Sequence, residues 1–129
     1  MTRGELSRGP YSSYVSTLVN AAVVAAEEKI GLDTVVLDLR ALVDSFDALV
    51  VTSGRNDRQV RAIAKEIERL VHLALDVKPN HVEGLVAGEW VALDYGDVIV
   101  HVFDETAREY YDLEHLWNAA PALRPLATH

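Results

Sequence analysis

Residues 89–103 read EWVALDYGDVIVHVF, two apolar arms that flank Asp94-Tyr95-Gly96-Asp97. A glycine in a short connection between apolar arms predicts a tight turn, so residues 90–94 and 98–103 are expected to pair as an antiparallel hairpin. Two carboxylates and a tyrosine lie at the tip, and His101 lies inside the second arm. Paired acids are typical of metal sites, and also of turns and recognition surfaces, so the stretch poses a question of chemistry as well as of fold.

The rest of the chain predicts an α/β domain. Helices are predicted from Ser12 or Ser13 up to Gly31, and over residues 57–75, because apolar residues recur there at intervals of three and four. Strands are predicted over 34–39, 48–52 and 81–85, and the nearly continuous apolar run 48–52 is typical of a central strand buried on both faces. A last helix is predicted after Asp104. This order indicates a mixed β-sheet covered by helices.

Composition bounds the class of protein. The chain has 129 residues, half of them apolar, which fits one domain with one core. There are no cysteines, which excludes disulfides, thiolate zinc sites and cysteine catalysis. No apolar run approaches the roughly 20 residues that cross a bilayer, so a cytoplasmic protein is expected. We predict a flexible leader over 1–11, a domain over 12–118 and a flexible tail over 119–129.

The net charge of −8 favours a basic protein partner over RNA or an anionic membrane. A basic cluster lies on the predicted helix 57–75 and just before it, and is interpreted as a solvated face, with direct RNA binding as the alternative. The cluster consists of Arg55, Arg58, Arg61, Lys65 and Arg69.

No motif in the sequence assembles a convincing catalytic set. The segment TSGRNDRQ, residues 52–59, lacks the glycines of a P-loop or a dinucleotide fingerprint and is interpreted as a strand-to-helix turn. No D-x-D pair and no closely spaced histidine pair is present, which disfavours magnesium and zinc sites. For His101, a core or interface role is weighed against proton transfer.

Most of the aromatic residues fall in the last third of the chain, and large amphipathic aromatics are favoured at protein interfaces. Trp90 and Tyr95 border the hairpin and are expected to be reachable by a partner. For Tyr110 and Trp117, an interface role and packing of the last helix both stay open.

The segment EGLVAGEWVALDYGDVIVHVFDETAREYYDLEHLW closely resembles the C-terminal signature of the ribosomal silencing factor family, also called Iojap-like proteins. That signature is E-G, then W-x-x-x-D-Y-G-D-x-x-V-H-x-F, then R-x-x-Y-x-L-E-x-L-W. The matching residues are Glu83, Gly84, Trp90, Asp94, Tyr95, Gly96, Asp97, Val100, His101, Phe103, Arg108, Tyr111, Leu113, Glu114, Leu116 and Trp117.

The upstream segment DALVVTSGRNDRQVRAIAKEIE is similar to the family's D-y-f-V-i-x-S-G-x-S-x-R-Q-V-x-A-I. It departs from that pattern at Ala48-Leu49, where an aromatic pair is usual, and at Asn56, where serine is common. Both departures affect packing more than function. The resemblance covers residues 14–118.

The resemblance implies a nucleotidyltransferase-like fold without the transferase's acidic motif, and no cofactor or enzyme activity. It implies binding to the large ribosomal subunit through ribosomal protein L-fourteen, steric block of small-subunit joining, repression of translation when nutrients are scarce, and a homodimer. On this basis the expected partner-binding residues are Trp90, Leu93, Asp94, Tyr95, Gly96, Asp97, Val98, His101, Arg108 and Tyr111. A divergent nucleotidyltransferase-like enzyme and a large-subunit assembly factor stay as alternatives.

Overall fold

A computed structural model gives the fold and describes residues 10–116 and 122–124. The helices are α1 Ser13–Glu28, α2 Asp57–Leu75, α3 Glu105–Tyr111 and α4 Leu113–Leu116. The strands are β1 Leu32–Asp38, β2 Ala48–Gly54, β3 His81–Glu83, β4 Trp90–Asp94, β5 Val98–Asp104 and β6 Ala122–Arg124. Among the described helices, none is both long enough and apolar enough to span a membrane.

Within the described residues the strands form a six-stranded sheet in the order β3-β4-β5-β2-β1-β6. Strands β2 and β5 run parallel and the other neighbours antiparallel, which confirms the mixed sheet. The hairpin of β4 and β5 is confirmed, with Trp90 opposite Phe103 and Asp94 opposite Ile99. Every residue of β2 is buried, as its continuous apolar run predicts. The nucleotidyltransferase-like relationship stays a prediction.

Helices α1 and α2 pack together on one face of the sheet and form the larger core. Ser12 caps α1, since its hydroxyl accepts a hydrogen bond from the Val15 amide at 3.2 Å, which confirms the predicted start. Helix α2 buries Val60, Ile63 and Ile67 along its apolar stripe. The predicted bounds of α2 are the observed ones.

The opposite face of the sheet is covered only in part. A smaller core of Leu37, Leu39, Leu49, Val51 and Phe103 lies there. The 39–47 loop, the Trp90 ring and the α3–α4 segment pack against it through Val43, Phe46, Ala107 and Leu113. This second layer covers β1, β2 and the end of β5. On the same face of the sheet, residues of β3, β4 and β5 line shallow grooves.

The ends of the chain differ in part from the predicted leader and tail. Residues 1–9 lie outside the described residues, but Tyr11 packs against the core and stacks under Arg40, with 4.1 Å from the guanidinium carbon to the ring centroid. Ala122–Arg124 pair with β1 as an edge strand, which the sequence analysis does not predict. The last helix is also interrupted at Asp112, whose backbone is left-handed with φ 47°. The packing of Tyr11 and the pairing of Ala122–Arg124 depend on partners distant in sequence.

Candidate functional site

Three strands present a half-exposed face on the side of the sheet away from α1 and α2. Cross-strand pairing aligns Glu83, Ala92 and His101 in one row and His81, Asp94 and Ile99 in the next. These six residues line two adjoining grooves, and Trp90 closes one end. We call this surface, made of the two rows and Trp90, the open face. Alternation along β4 and β5 explains it, since the intervening residues point into the main core.

Trp90 and His101 form a fixed pair on the open face. The Trp90 indole Nε1–H donates a hydrogen bond to His101 Nδ1 at 2.7 Å. The indole also packs against Phe103, with 4.9 Å between ring centroids. The indole is therefore fixed by one hydrogen bond and by ring packing, so this large side chain is presented to solvent in one orientation.

The His101 ring is neutral at ordinary pH. Burial lowers the pKa of His101 to about 4, because the charged form loses hydration in the partly covered sheet. The hydrogen bond from Trp90 also favours the neutral ring, because it requires a lone pair on Nδ1. A neutral imidazole with an assigned acceptor nitrogen suits a recognition role better than a proton relay at neutral pH.

Two tyrosines of α3 extend the open face at the Trp90 end. The Tyr111 ring lies 4.6 Å from Trp90, centroid to centroid, and is half-exposed. Tyr110 is 80% exposed and meets Tyr111 edge-on at 5.0 Å. An exposed aromatic cluster of this kind is a typical protein-binding anchor. For Tyr110 the interface interpretation is therefore favoured over packing, and Trp117 lies outside the described residues.

Of the two acids at the hairpin tip, Asp94 serves the turn through its side chain, and Asp97 contributes through its backbone carbonyl. Asp94 Oδ1 accepts a hydrogen bond from the Gly96 amide at 2.8 Å, and Gly96 has φ 90°, a conformation that favours glycine. The Asp97 carbonyl accepts hydrogen bonds from the Asp47 amide at 2.7 Å and the Ala48 amide at 3.3 Å. Across residues 10–116 and 122–124, no group of three acidic or histidine side chains is arranged to hold a metal ion.

The structure corrects one expectation about the tip. Tyr95 was expected to be reachable, but it is only 6% exposed and lies in the core with α1 and α2. Because Asp94 is on the open face, the next residue points to the opposite side. Leu93 and Val98 are buried in the same core. The side chains of these three predicted contact residues therefore support the hairpin from the core side of the sheet.

Tyr95 carries an unusual hydroxyl. Its Oη is the one buried side-chain polar atom with no hydrogen-bond partner among the described residues. Burial raises the pKa of Tyr95, and the nearby Glu68 carboxylate adds to the effect. The phenol therefore stays protonated.

Arg108 is predicted as a partner-binding residue, and its hydrogen bonds tie α3 to the sheet. Its guanidinium donates to the Leu32 carbonyl at 3.0 Å, the Ser53 hydroxyl at 3.1 Å and the Asp33 carbonyl at 2.7 Å. These contacts hold α3, and with it Tyr110 and Tyr111, in place beside Trp90. Direct contact of Arg108 with a partner stays a prediction.

The TSGRNDRQ segment is a structural turn. Asn56 caps α2 by accepting from the Gln59 amide at 2.9 Å. The Gln59 side chain accepts from the Arg55 amide at 2.7 Å and donates to the carbonyls of Lys29 and Ile30 at 3.1 and 3.0 Å. It thus joins the end of α1 to the start of α2.

The basic cluster of α2 is largely a solvated face. Arg61 pairs with Asp57 at 2.7 Å and Arg69 with Glu66 at 2.8 Å, while Arg58 and Lys65 are exposed. Such exposed intrahelical pairs neutralise much of the local charge. They do not favour the RNA-binding alternative.

Sequence reasoning missed four residues of the open face: His81, Glu83, Ala92 and Ile99. Period-two alternation from Trp90 and His101 identifies Ala92 and Ile99 as sharing their side of the sheet. His81 and Glu83 needed the register of β3 against β4, which no local pattern specifies.

The chain is similar to proteins of one family over almost its whole length. The family model described as ribosomal silencing factor during starvation matches residues 12–128. The Ribosomal silencing factor RsfS of Bacillus subtilis is 37% identical over 106 residues, which cover 81% of this chain and 88% of that protein. A Mus musculus protein named mitochondrial assembly of ribosomal large subunit protein 1 is 32% identical over 73 residues, covering 55% of this chain and 32% of that protein.

A solved structure agrees with the fold. The crystal structure of a Chromobacterium violaceum protein superposes with a TM-score of 0.77 at 36% identity, covering 81% of this chain and 86% of that one. The chain belongs to the ribosomal silencing factor family, a family tied to the ribosome and to the regulation of translation.

Proposed function

We propose that this protein binds the large ribosomal subunit through ribosomal protein L-fourteen, using the open face, and so blocks small-subunit joining and lowers translation when nutrients are scarce. On this proposal it acts by binding in the cytoplasm and catalyses no reaction. The observation that carries it is the Trp90–His101 pair, a preorganised aromatic anchor on an uncovered part of the sheet.

The physics of interfaces supports this choice of surface. Hot spots are enriched in tryptophan and tyrosine, and they gain most when the side chain loses little conformational freedom on binding. Trp90 is held by His101 and Phe103 before any partner arrives. Tyr111 and Tyr110 widen the same anchor into an aromatic surface.

The charge around the open face supports a basic partner. Glu83 and Asp94 line the grooves, and Asp97 is exposed at the hairpin tip. The chain as a whole has a net charge of −8. Opposite charge accelerates encounter and favours the correct orientation, so a basic ribosomal protein fits this surface better than nucleic acid does.

The architecture also supports a steric mechanism. The open face and the α1–α2 layer lie on opposite sides of one sheet. A partner docked on the open face leaves the helical layer projecting outward. A rigid body of this size on the joining surface of the large subunit obstructs the small subunit without any bond chemistry.

The test is co-sedimentation of the purified protein with separated ribosomal subunits, followed by a subunit-joining assay. We expect binding to the large subunit alone and fewer joined ribosomes as the protein is added. Trp90→Ala should reduce both effects. Leu73→Ala is the matched control, because Leu73 is 68% exposed on α2, on the helical side. Binding to neither subunit would refute the proposal.

A role in large-subunit assembly is a second candidate, favoured by the name of the Mus musculus relative. In that role the protein would use the same docking site during assembly of the large subunit, before subunits join. Depletion of the protein would then cause large-subunit precursors to accumulate during growth, whereas a silencer alone alters joining during starvation. Sucrose-gradient profiles under both conditions separate the two.

The homodimer implied by the family resemblance is likewise a proposal. Sedimentation equilibrium would give twice the 14.2 kDa of one chain if it forms. Loss of the dimer in Trp90→Ala would assign it to the open face, in competition with the ribosome.

A further inference from the structure

We propose that His101 recognises the docked partner directly, by donating its Nε2–H to an uncharged oxygen acceptor such as a backbone carbonyl. This inference rests on the proposed function, because it concerns the same open face. It adds a hydrogen-bond requirement to a surface otherwise described by its aromatic anchor and its acidic charge.

The hydrogen bond to Trp90 assigns the tautomer of the ring. An indole Nε1–H can only donate, so His101 Nδ1, at 2.7 Å, must accept through its lone pair. A neutral imidazole carries its single proton on the other nitrogen. Nε2 is therefore a donor, and a 180° flip of the ring would place Cδ2 where Nδ1 lies and so break the contact with Trp90.

The donor is available to a partner. Among the described residues, Tyr95 Oη is the one buried side-chain polar atom that has no partner, and the His101 side chain makes no hydrogen bond other than that with Trp90. Nε2 is therefore reached by solvent, and His101 lines both grooves of the open face. When a partner covers the face, Nε2–H loses water and needs a replacement acceptor.

The surroundings select the kind of acceptor. Glu83 lies in the same cross-strand row, with Ala92 between it and His101, and Asp94 lies in the next row. These two acids disfavour a carboxylate or phosphate at Nε2, because like charges repel. An uncharged carbonyl oxygen is not repelled in this way. A protein backbone supplies such oxygens, which agrees with a protein rather than a nucleic-acid contact.

Two near-isosteric substitutions separate the two nitrogens. In His101→Asn the amide oxygen can occupy the Nδ1 position and accept from Trp90, but the outer donor is lost. In His101→Gln the amide nitrogen can occupy the Nε2 position and donate outward, but the acceptor for Trp90 is displaced. The dissociation constant for purified large subunits is measured for both variants, with Leu73→Ala as control and thermal unfolding as the test of folding.

We expect both variants to bind more weakly than the wild-type protein, His101→Gln by about three-fold because it loses the acceptor for Trp90, and His101→Asn by roughly ten-fold or more because it loses the outer donor. The reverse order would show that His101 only positions Trp90 and would overturn the inference. Two folded variants with equal affinity, whether wild-type or weakened, would overturn it as well. Failure of the wild-type protein itself to bind large subunits would instead refute the proposed function.

Discussion

Asp94 Oδ1 accepts a hydrogen bond from the backbone N–H of Gly96, two residues along the chain, at a distance of 2.8 Å. The hairpin turn is thus closed by a side chain as well as by the bond from the Tyr95 amide to the Val98 carbonyl at 2.9 Å. The carboxylate needed by the turn also lines the open face. One residue therefore has a conformational role and a place on the proposed binding surface.

Asparagine can separate these two roles of Asp94. Asp94→Asn keeps an oxygen for the Gly96 amide and removes the charge, so we expect stability within about 0.5 kcal/mol of the wild-type protein and slower association with the large subunit. Asp94→Ala should lower the free energy of unfolding by about 1 kcal/mol. Urea unfolding and association kinetics measure the two effects, and equal stability of both variants would contradict a role for Asp94 in the turn.

Tyr95→Phe tests whether this tyrosine is a support or an anchor. The Tyr95 hydroxyl is buried without a described partner, so removing it should leave stability unchanged or raise it by up to about 1 kcal/mol. Affinity for the large subunit should not change. Chemical denaturation of the two proteins checks the first expectation, and a large loss of affinity in a stable variant would count against a purely internal role.

Arg108→Ala should act first on stability. The substitution removes the guanidinium that donates to the Leu32 and Asp33 carbonyls and to the Ser53 hydroxyl, so we expect a loss of about 2 kcal/mol in the free energy of unfolding. Arg58→Ala, on the exposed face of α2, is the control and should change stability by less than about 0.5 kcal/mol. If Arg108→Ala weakens subunit binding at full stability, Arg108 belongs to the contact surface after all.

Local sequence patterns predicted the parts of this fold that depend on near neighbours. The stripe of α2 and the hairpin follow from periodicities of 3.6 and 2, so their bounds could be inferred without a partner in view. Tyr95 was misassigned because a turn residue was assumed to be exposed, whereas its side depends on the pleat that continues from Asp94. The position of His81 on the open face depends on the pairing of β3 with β4, which is a tertiary contact.

Acid should destabilise the protein through His101. The pKa of His101 is about 4 in the folded protein because of burial, against an ordinary value of 6.5, so the unfolded chain binds more protons between these values. Stability from this group is complete above pH 6.5 and is lost as pH falls toward 4, by about 3 kcal/mol at most.

The comparison with His101→Gln isolates that effect, because glutamine does not titrate. The difference in unfolding free energy between the two proteins should shrink, or change sign, from pH 7 to pH 4. Burial raises the pKa values of Asp47 and Glu68, and such raised values increase the free energy of unfolding as the pH falls. Both groups are present in both proteins, so their effect cancels in the difference. A difference that is constant with pH would show that His101 is not held neutral by the fold.

Trp90→Ala should weaken binding to the large subunit by about 2 kcal/mol or more, roughly 30-fold, if Trp90 is the anchor of the open face. The loss has two sources: the area of the indole, and the release of His101 and Tyr111 from their packing. Trp90→Phe keeps an aromatic ring but removes the Nε1–H. Its affinity for the large subunit should therefore lie between those of the wild-type protein and Trp90→Ala. Thermal unfolding must accompany the titration, because Trp90 also covers Phe103. A folded Trp90→Ala protein with wild-type affinity would move the docking site away from the open face.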